Sequence, residues 1–205
     1  MILLPSDYAQ ASAYEGESGP RLVPGGYVCR MTGARMETVK TRNGEKDKLV
    51  IAYDIAEGEY AGHFDRLFKA ARTRDAQNAK WKGTYEVFIL KNTGETNPYF
   101  KGAITSIEKS NPGFSPVQGS QLNEALFKGR MIGLLLREEE FMAGDGQKKK
   151  AVKACMAQSV DKIRSGEFEI PAPVLLSGGS GSAQASATAA AGSGFTQVDD
   201  DELPF

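Results

Sequence analysis

The chain has 205 residues, 40% hydrophobic and 25% charged, which suits one globular domain with appended segments. No apolar run is long enough for a membrane-spanning helix, and Met1–Leu4 is too short and lacks the basic leader of a signal peptide, so the expectation is a cytoplasmic protein. All 25 Lys and Arg lie in residues 20–170; three of the 26 acids (Asp7, Glu15, Glu17) precede that stretch and four (Asp199, Asp200, Asp201, Glu202) follow it, leaving a body of net charge +6 within a whole-chain charge of -1.

In chain order, residues 1–20 are small and polar and read as a loose arm, followed by an ordered body over 21–171. Pro24-Gly25-Gly26 opens an extended segment over Tyr27–Val39, whose alternation slips phase at Gly33, the mark of a bulge or sharp bend. A turn over Thr41–Lys46, built on Asn43-Gly44, leads into a strand with Leu49, Ile51, Tyr53 and Ile55 on one face, completing a hairpin. Residues 64–83 are mixed, and Thr84–Leu90 is a third strand.

Asn97 as N-cap, Pro98 at the first helical position and Phe100, Ile104 and Ile107 at i, i+4, i+7 predict a helix stopped by Asn111-Pro112-Gly113. A short helix from Ser120, with Leu122, Ala125 and Leu126 on one side, is expected to end at Gly129. Met131–Arg137 and Ala151–Val160 are further strands, joined by the loop FMAGDGQKKK. The order strand, strand, strand, helix, strand, strand predicts a mainly β protein with α, an OB-fold: a five-stranded Greek-key barrel with a helix between strands three and four. A generic α+β sheet is the alternative, and the two differ in whether the first strand pairs twice.

Order is expected to end after Ile170–Pro173. Ser177–Gly194 is Ser, Gly and Ala apart from Gln184 and Thr188, too poor in apolar groups to offset its ordering entropy. Residues 172–198 therefore read as a disordered linker, whose core of about 22 residues spans roughly 25 Å on average. The tip at 199–205 sets Asp199, Asp200, Asp201 and Glu202 against Leu203, Pro204 and Phe205. This is the chemistry of a short docking peptide: Phe205 fills an apolar pocket, a basic group takes the terminal carboxylate and the acids steer the approach. An acidic solubility tail is the plainer alternative.

Single-stranded nucleic acid calls for cations along a phosphate track and flat side chains for bases to stack on. Residues 64–85 interleave both types: Arg66, Lys69, Arg72, Arg74, Lys80, Trp81, Lys82 and Tyr85, with Phe64 and Phe68 read as core. Trp81, the one tryptophan, stands between two lysines and reads equally as a stacking platform or a half-buried rim residue. The two loops that bound an OB-fold binding face carry Lys40, Arg42, Lys46 and Lys48 in the first and Lys148, Lys149 and Lys150 in the second. His63, the lone histidine, reads as a turn residue; Glu138-Glu139-Glu140 reads as a solvated strand end; Cys29 and Cys155 read as buried reduced thiols rather than a disulfide. No phosphate-cradling loop and no zinc or nucleophile motif appears, so no cofactor, metal or catalysis is expected.

The arrangement of body, low-complexity linker and acidic tip ending in Pro-Phe resembles bacterial single-stranded DNA-binding proteins. The stretches GGYVCRM, LVIAYDIAEGEYAGHF, FKGAITSIEKSNPGF, FKGRMIGLLLREEEF and SVDKIRSGEFEIP also resemble a phage and prophage family associated with single-stranded DNA binding. The resemblance implies a non-catalytic protein that coats single-stranded DNA in replication or recombination, in the host cytoplasm if phage-encoded, and recruits replication and recombination proteins through its tip. It implies no membrane partner and leaves a homo-oligomer open. A protein-only interaction scaffold is the alternative.

Overall fold

The structure, a computed structural model, describes residues 6, 8, 9, 21–41, 44–144 and 146–176. The rest of the expected arm, the Asn43 turn position, the linker from 177 and the tip at 199–205 lie outside the described residues. The body is mainly β. Strand β1 (Gly25–Thr41) pairs antiparallel with β2 (Gly44–Ile55), and the register shifts between Met31 and Gly33, where the sequence slips phase. Tyr27, Cys29 and Met31 face the core before the shift, while Ala34 and Met36 pack against it afterwards. The extra residue thus keeps apolar side chains inward through the bend.

Helix α1 (His63–Arg74) follows β2. Its N-cap position is Gly62, at φ 73°, which has no side chain to cap with. Asp54 of β2 takes that role from a distance: its carboxylate accepts from the N–H groups of Phe64 at 2.9 Å and Asp65 at 3.2 Å. Strand β3 (Thr84–Phe88) returns antiparallel to β2.

Helix α2 (Pro98–Ser110) begins as the sequence predicts, with the Asn97 side chain accepting from Tyr99 N–H at 3.0 Å and Pro98 at the first position. Ala103, Ile104 and Ile107 are buried. The helix expected from Ser120 is replaced by a two-residue ladder, β4 (Val117–Gln118) with β5 (Gln121–Leu122), and a 3-10 turn over Glu124–Phe127. Gly119 at φ 61° makes the tight turn, and Asn123 caps the 3-10 turn. Phe127, fully buried, is its anchor, while Leu126 stays exposed.

Strands β6 (Met131–Met142) and β7 (Lys148–Gln158) form a hairpin longer than expected, because the basic segment belongs to the strand. Helix α3 (Val160–Ser165), of which the sequence reading placed only Val160 and that at the end of a strand, closes the fold. Arg164 of α3 grips Glu57 through two hydrogen bonds, at 2.6 and 3.3 Å.

The strand order is β3-β2-β1-β6-β7, so β1 pairs twice, with β2 over Cys29–Thr41 and with β6 over Gly25–Arg30. The expected closed barrel is corrected in one respect: among the described residues no ladder joins β3 to β7. Instead Tyr85 of β3 is buried in the core where β3 and β7 come into contact, and burial pushes its phenol far above the ordinary range. Helix α2 packs against β3, β6 and β7 over the same seam.

The main core lies on the inner face and includes Leu49, Ile51, Tyr53, Phe64, Ile107, Ile132, Leu134 and Leu136. Burying each such aliphatic side chain contributes about 1.5–3 kcal/mol before entropy is counted. A smaller cluster of Val28, Leu135, Val160 and Ile163, with Phe168 against it, covers part of the other face.

Residues 172–176, read from composition as linker, are held to the edge of β6. Val174 N–H donates to Glu138 O at 3.0 Å, Glu140 N–H donates to Val174 O at 2.9 Å, and Lys148 donates to Leu176 O at 3.1 Å. This short strap occupies the edge that β1, paired only as far as Leu136, leaves free.

Candidate nucleic-acid interface

Strand parity divides the β1–β2–β3 surface into an inner and an outer face. Tyr85 and Val87 alternate with Thr84, Glu86 and Phe88, and Lys48 stands opposite Phe88 in the register. Tyr85 is 2% exposed and belongs to the core, which removes it from the expected base-stacking set. Phe88 lies on the opposite face, with the Lys46 ammonium 5.7 Å from its ring centroid. The alternation in TYEVF carries this division, since two aromatics three apart on a strand face opposite ways.

The outer face is a charge lattice. Lys48 lies 2.6 Å from Glu86 and 3.5 Å from Glu37, and Glu37 also receives Arg35 at 2.5 Å. The hydrogen bond from Arg35 holds the Glu37 carboxyl below its usual range. Lys48 is therefore partly cancelled by acids; Lys46 bonds the Asn92 side chain and lies over the Phe88 ring. Lys40 is exposed, with no acid in ion-pair range among the described residues. Arg42 lies outside the described residues.

A second cationic group stands at the far end of β2, about 30 Å from Lys46 at strand rise. Arg66 donates to Ala61 O at 2.6 Å, Lys69 pairs with Asp65 at 2.7 Å, and Arg72 sits 5.9 Å from the Phe68 ring. Arg74, in the last turn of α1, reaches back to Ala70 O at 3.5 Å. Lys80 and Lys82 are exposed, without an acid in ion-pair range among the described residues. Between them Trp81 is half-buried, its indole N–H shared by the carbonyls of Gly83 at 3.0 Å and Tyr53 at 3.2 Å, and its ring edge-on to Phe68 at 5.6 Å. Trp81 is thus fixed at the rim of the core, ring orientation included. Phe68, Leu67, Arg74, Lys80 and Lys82 line a shallow groove beside it.

The third expected group, Lys148, Lys149 and Lys150, starts β7 instead of forming a loop. Across the hairpin, Glu138 lies 2.7 Å from Lys150, Glu140 lies 3.4 Å from Lys148, and Glu139 is shared by Arg137 at 3.1 Å and Lys153 at 3.5 Å. The hydrogen bond to Glu138 holds the Lys150 ammonium above its usual range. The Glu138–Glu140 run is therefore not a solvated strand end. Its carboxylates neutralise Lys148 and Lys150 of the three lysines expected to meet phosphate, at a stability gain of about 0–1 kcal/mol per exposed pair.

Burial pushes the Cys155 thiol up to about 11 and the Cys29 thiol up as well, so both stay protonated near neutrality. Both are free thiols; Cys29 is buried as expected, while Cys155 is only half-buried. Among the described residues no three His, Cys, Asp or Glu are grouped to hold a metal ion, and no described helix is long and apolar enough to cross a membrane. The sequence matches no family model and no curated protein.

Proposed function

We propose that this is a non-catalytic, sequence-tolerant single-stranded DNA-binding protein of a phage or mobile element, with an OB-fold body and a C-terminal tip that docks partner proteins. The observation that carries the reading is Lys46 over Phe88 on the outer face of β2 and β3, with cationic groups at both ends of β2. In OB-folds this is the face that takes oligonucleotides. The strand order supports the fold assignment: β1 is shared between two neighbours, and α2 sits between β3 and β6. In this reading α1 and the β4–β5 ladder are insertions.

Bases stack on the exposed aromatic surfaces for about 1–3 kcal/mol each, and phosphates follow Lys40, Lys46, Lys80 and Lys82. No base-edge code is required, so binding tolerates any sequence. The acidic tip at 199–205 recruits replication or recombination proteins, and its charge makes it a competitor of DNA for the basic face.

Titrating labelled poly-dT at two salt concentrations, with Trp81 emission followed in parallel, tests the reading. The expected result is binding at low salt that weakens with a log–log slope of about -0.7 per phosphate contact. Absence of binding at low salt overturns it in favour of a protein-only scaffold. Magnesium-dependent shortening of the oligonucleotide identifies a phosphoryl-transfer enzyme instead.

A further inference from the structure

Cations that the sequence reading passed over stand where β1 parts from β6. The β1–β6 ladder ends at the pair Arg30 and Met131, and the residues before β6 continue along the same edge: Gly129 N–H donates to Met31 O and Met31 N–H to Arg130 O, both at 2.8 Å. Gly129 takes φ 83°, a conformation that favours glycine, so the backbone itself sets the positions of Lys128 and Arg130. The Arg130 guanidinium lies 4.9 Å from the ring of Phe114, which is 8% exposed and set edge-on to the fully buried Phe127. Arg130 itself is exposed, as are Arg30 and Lys128.

Charge pairing sets this cluster, like Lys40, apart from most cations of the sheet. Arg35, Lys48, Arg137, Lys148, Lys150 and Lys153 each have a glutamate in ion-pair range. Arg30, Lys128 and Arg130 are left without a carboxylate in that range among the described residues. Arg30 stands opposite Met131, on the face of the smaller cluster, whereas Arg130 lies against Phe114 of the main core, so the cations offered together to a polyanion are Lys128 and Arg130. An arginine backed by a core-anchored ring also offers its other side to a base or a phosphate.

We propose that the segment Lys128–Arg130 is a second nucleic-acid contact, Lys128 meeting phosphate and Arg130 both phosphate and base. The inference rests on the single-stranded DNA reading above and extends its path across β1. Met31 and Val39, the register partner of Lys46, are about 25 Å apart at strand rise, so one short oligonucleotide does not reach both contacts.

The test uses the full chain, fluorescence anisotropy and dT oligomers of about 4 and about 16 nucleotides, the bounds for one such fold. For the longer oligomer, Lys128→Ala with Arg130→Ala lowers affinity several-fold and flattens the salt slope by about 1.4, two phosphates' worth. Affinity for the shorter one, bound at Phe88, is unchanged. Arg130→Lys keeps the slope and loses part of the affinity, and Lys101→Ala on α2 changes neither. Circular dichroism melts verify that the exposed substitutions leave the fold intact. Unchanged slope and affinity, in a chain whose wild type binds, overturn the second contact alone and mark the cluster as solvated surface. A wild type that binds no dT overturns the functional reading and this contact with it.

Discussion

The side chain of Asn111 and the backbone of Met131 exchange two hydrogen bonds, Asn111 Nδ2 donating to Met131 O at 2.8 Å and Met131 N–H donating to Asn111 Oδ1 at 2.9 Å. The amide acts as one more residue of a strand, placed where β6 begins. Its Nδ2 also donates to Ile107 O at 2.8 Å, tying the end of α2 to that strand. Asn111, 9% exposed, is a buried polar residue whose groups are all matched.

Replacing Asn111 with Ala strands one donor and two acceptors in the interior. The expected cost is about 3 kcal/mol, with a fall in Tm of about 10 °C, read from urea and thermal melts. A loss below about 1 kcal/mol would mean that water replaces the amide.

Glu37→Gln removes one of the two acids holding Lys48 and the acid holding Arg35. Affinity for poly-dT is expected to rise roughly two- to five-fold at low salt, with the gain fading as salt screens the face. Unchanged affinity at low salt would put the DNA path away from the outer face of β2.

Deleting Asp199–Phe205 leaves DNA affinity equal or higher and abolishes pull-down of replication and recombination partners. A marked fall in DNA affinity would make the tip part of the DNA site. Phe205→Ala is the smallest version of the same experiment, and it isolates the aromatic from the acids.

Raising a thiol pKa favours the protonated form in the folded state, so Cys155, at about 11, is almost entirely thiol at pH 8. Reaction with a thiol reagent is expected to be slow for both cysteines at pH 8, to quicken for Cys155 as pH approaches 11, and to be complete on unfolding. Fast labelling of the folded chain at pH 8 would contradict the burial of Cys29.

What the sequence discloses here is local. The bulge at Gly33, the Asn97-Pro98 start of α2 and the alternation over Leu49–Ile55 each depend on neighbours in the chain. Asp54 capping α1 and Tyr85 buried where β3 meets β7 depend on residues brought together by folding, and no period announces them. The candidate site suffered most from this. Basic residues are visible in sequence, but the glutamates that neutralise Lys48, Lys148 and Lys150 stand on other strands. Tyr85 and Phe88 were separable by parity alone, whereas the docking of Lys128–Arg130 on Met31 was not.

The strap over 172–176 has a mechanical consequence. It runs parallel to β6 and is tied at few points, so tension arriving from beyond Leu176 meets those ties in succession. The Lys148 contact loads first and the Val174 pair next, as in peeling tape. While the strap holds, that load enters β6 at Glu138 and Glu140 and the first residue of β7 at Lys148. Any partner pulling on the C-terminal side therefore lengthens its leash as the ties give way, and the strap re-zips when the pull ends.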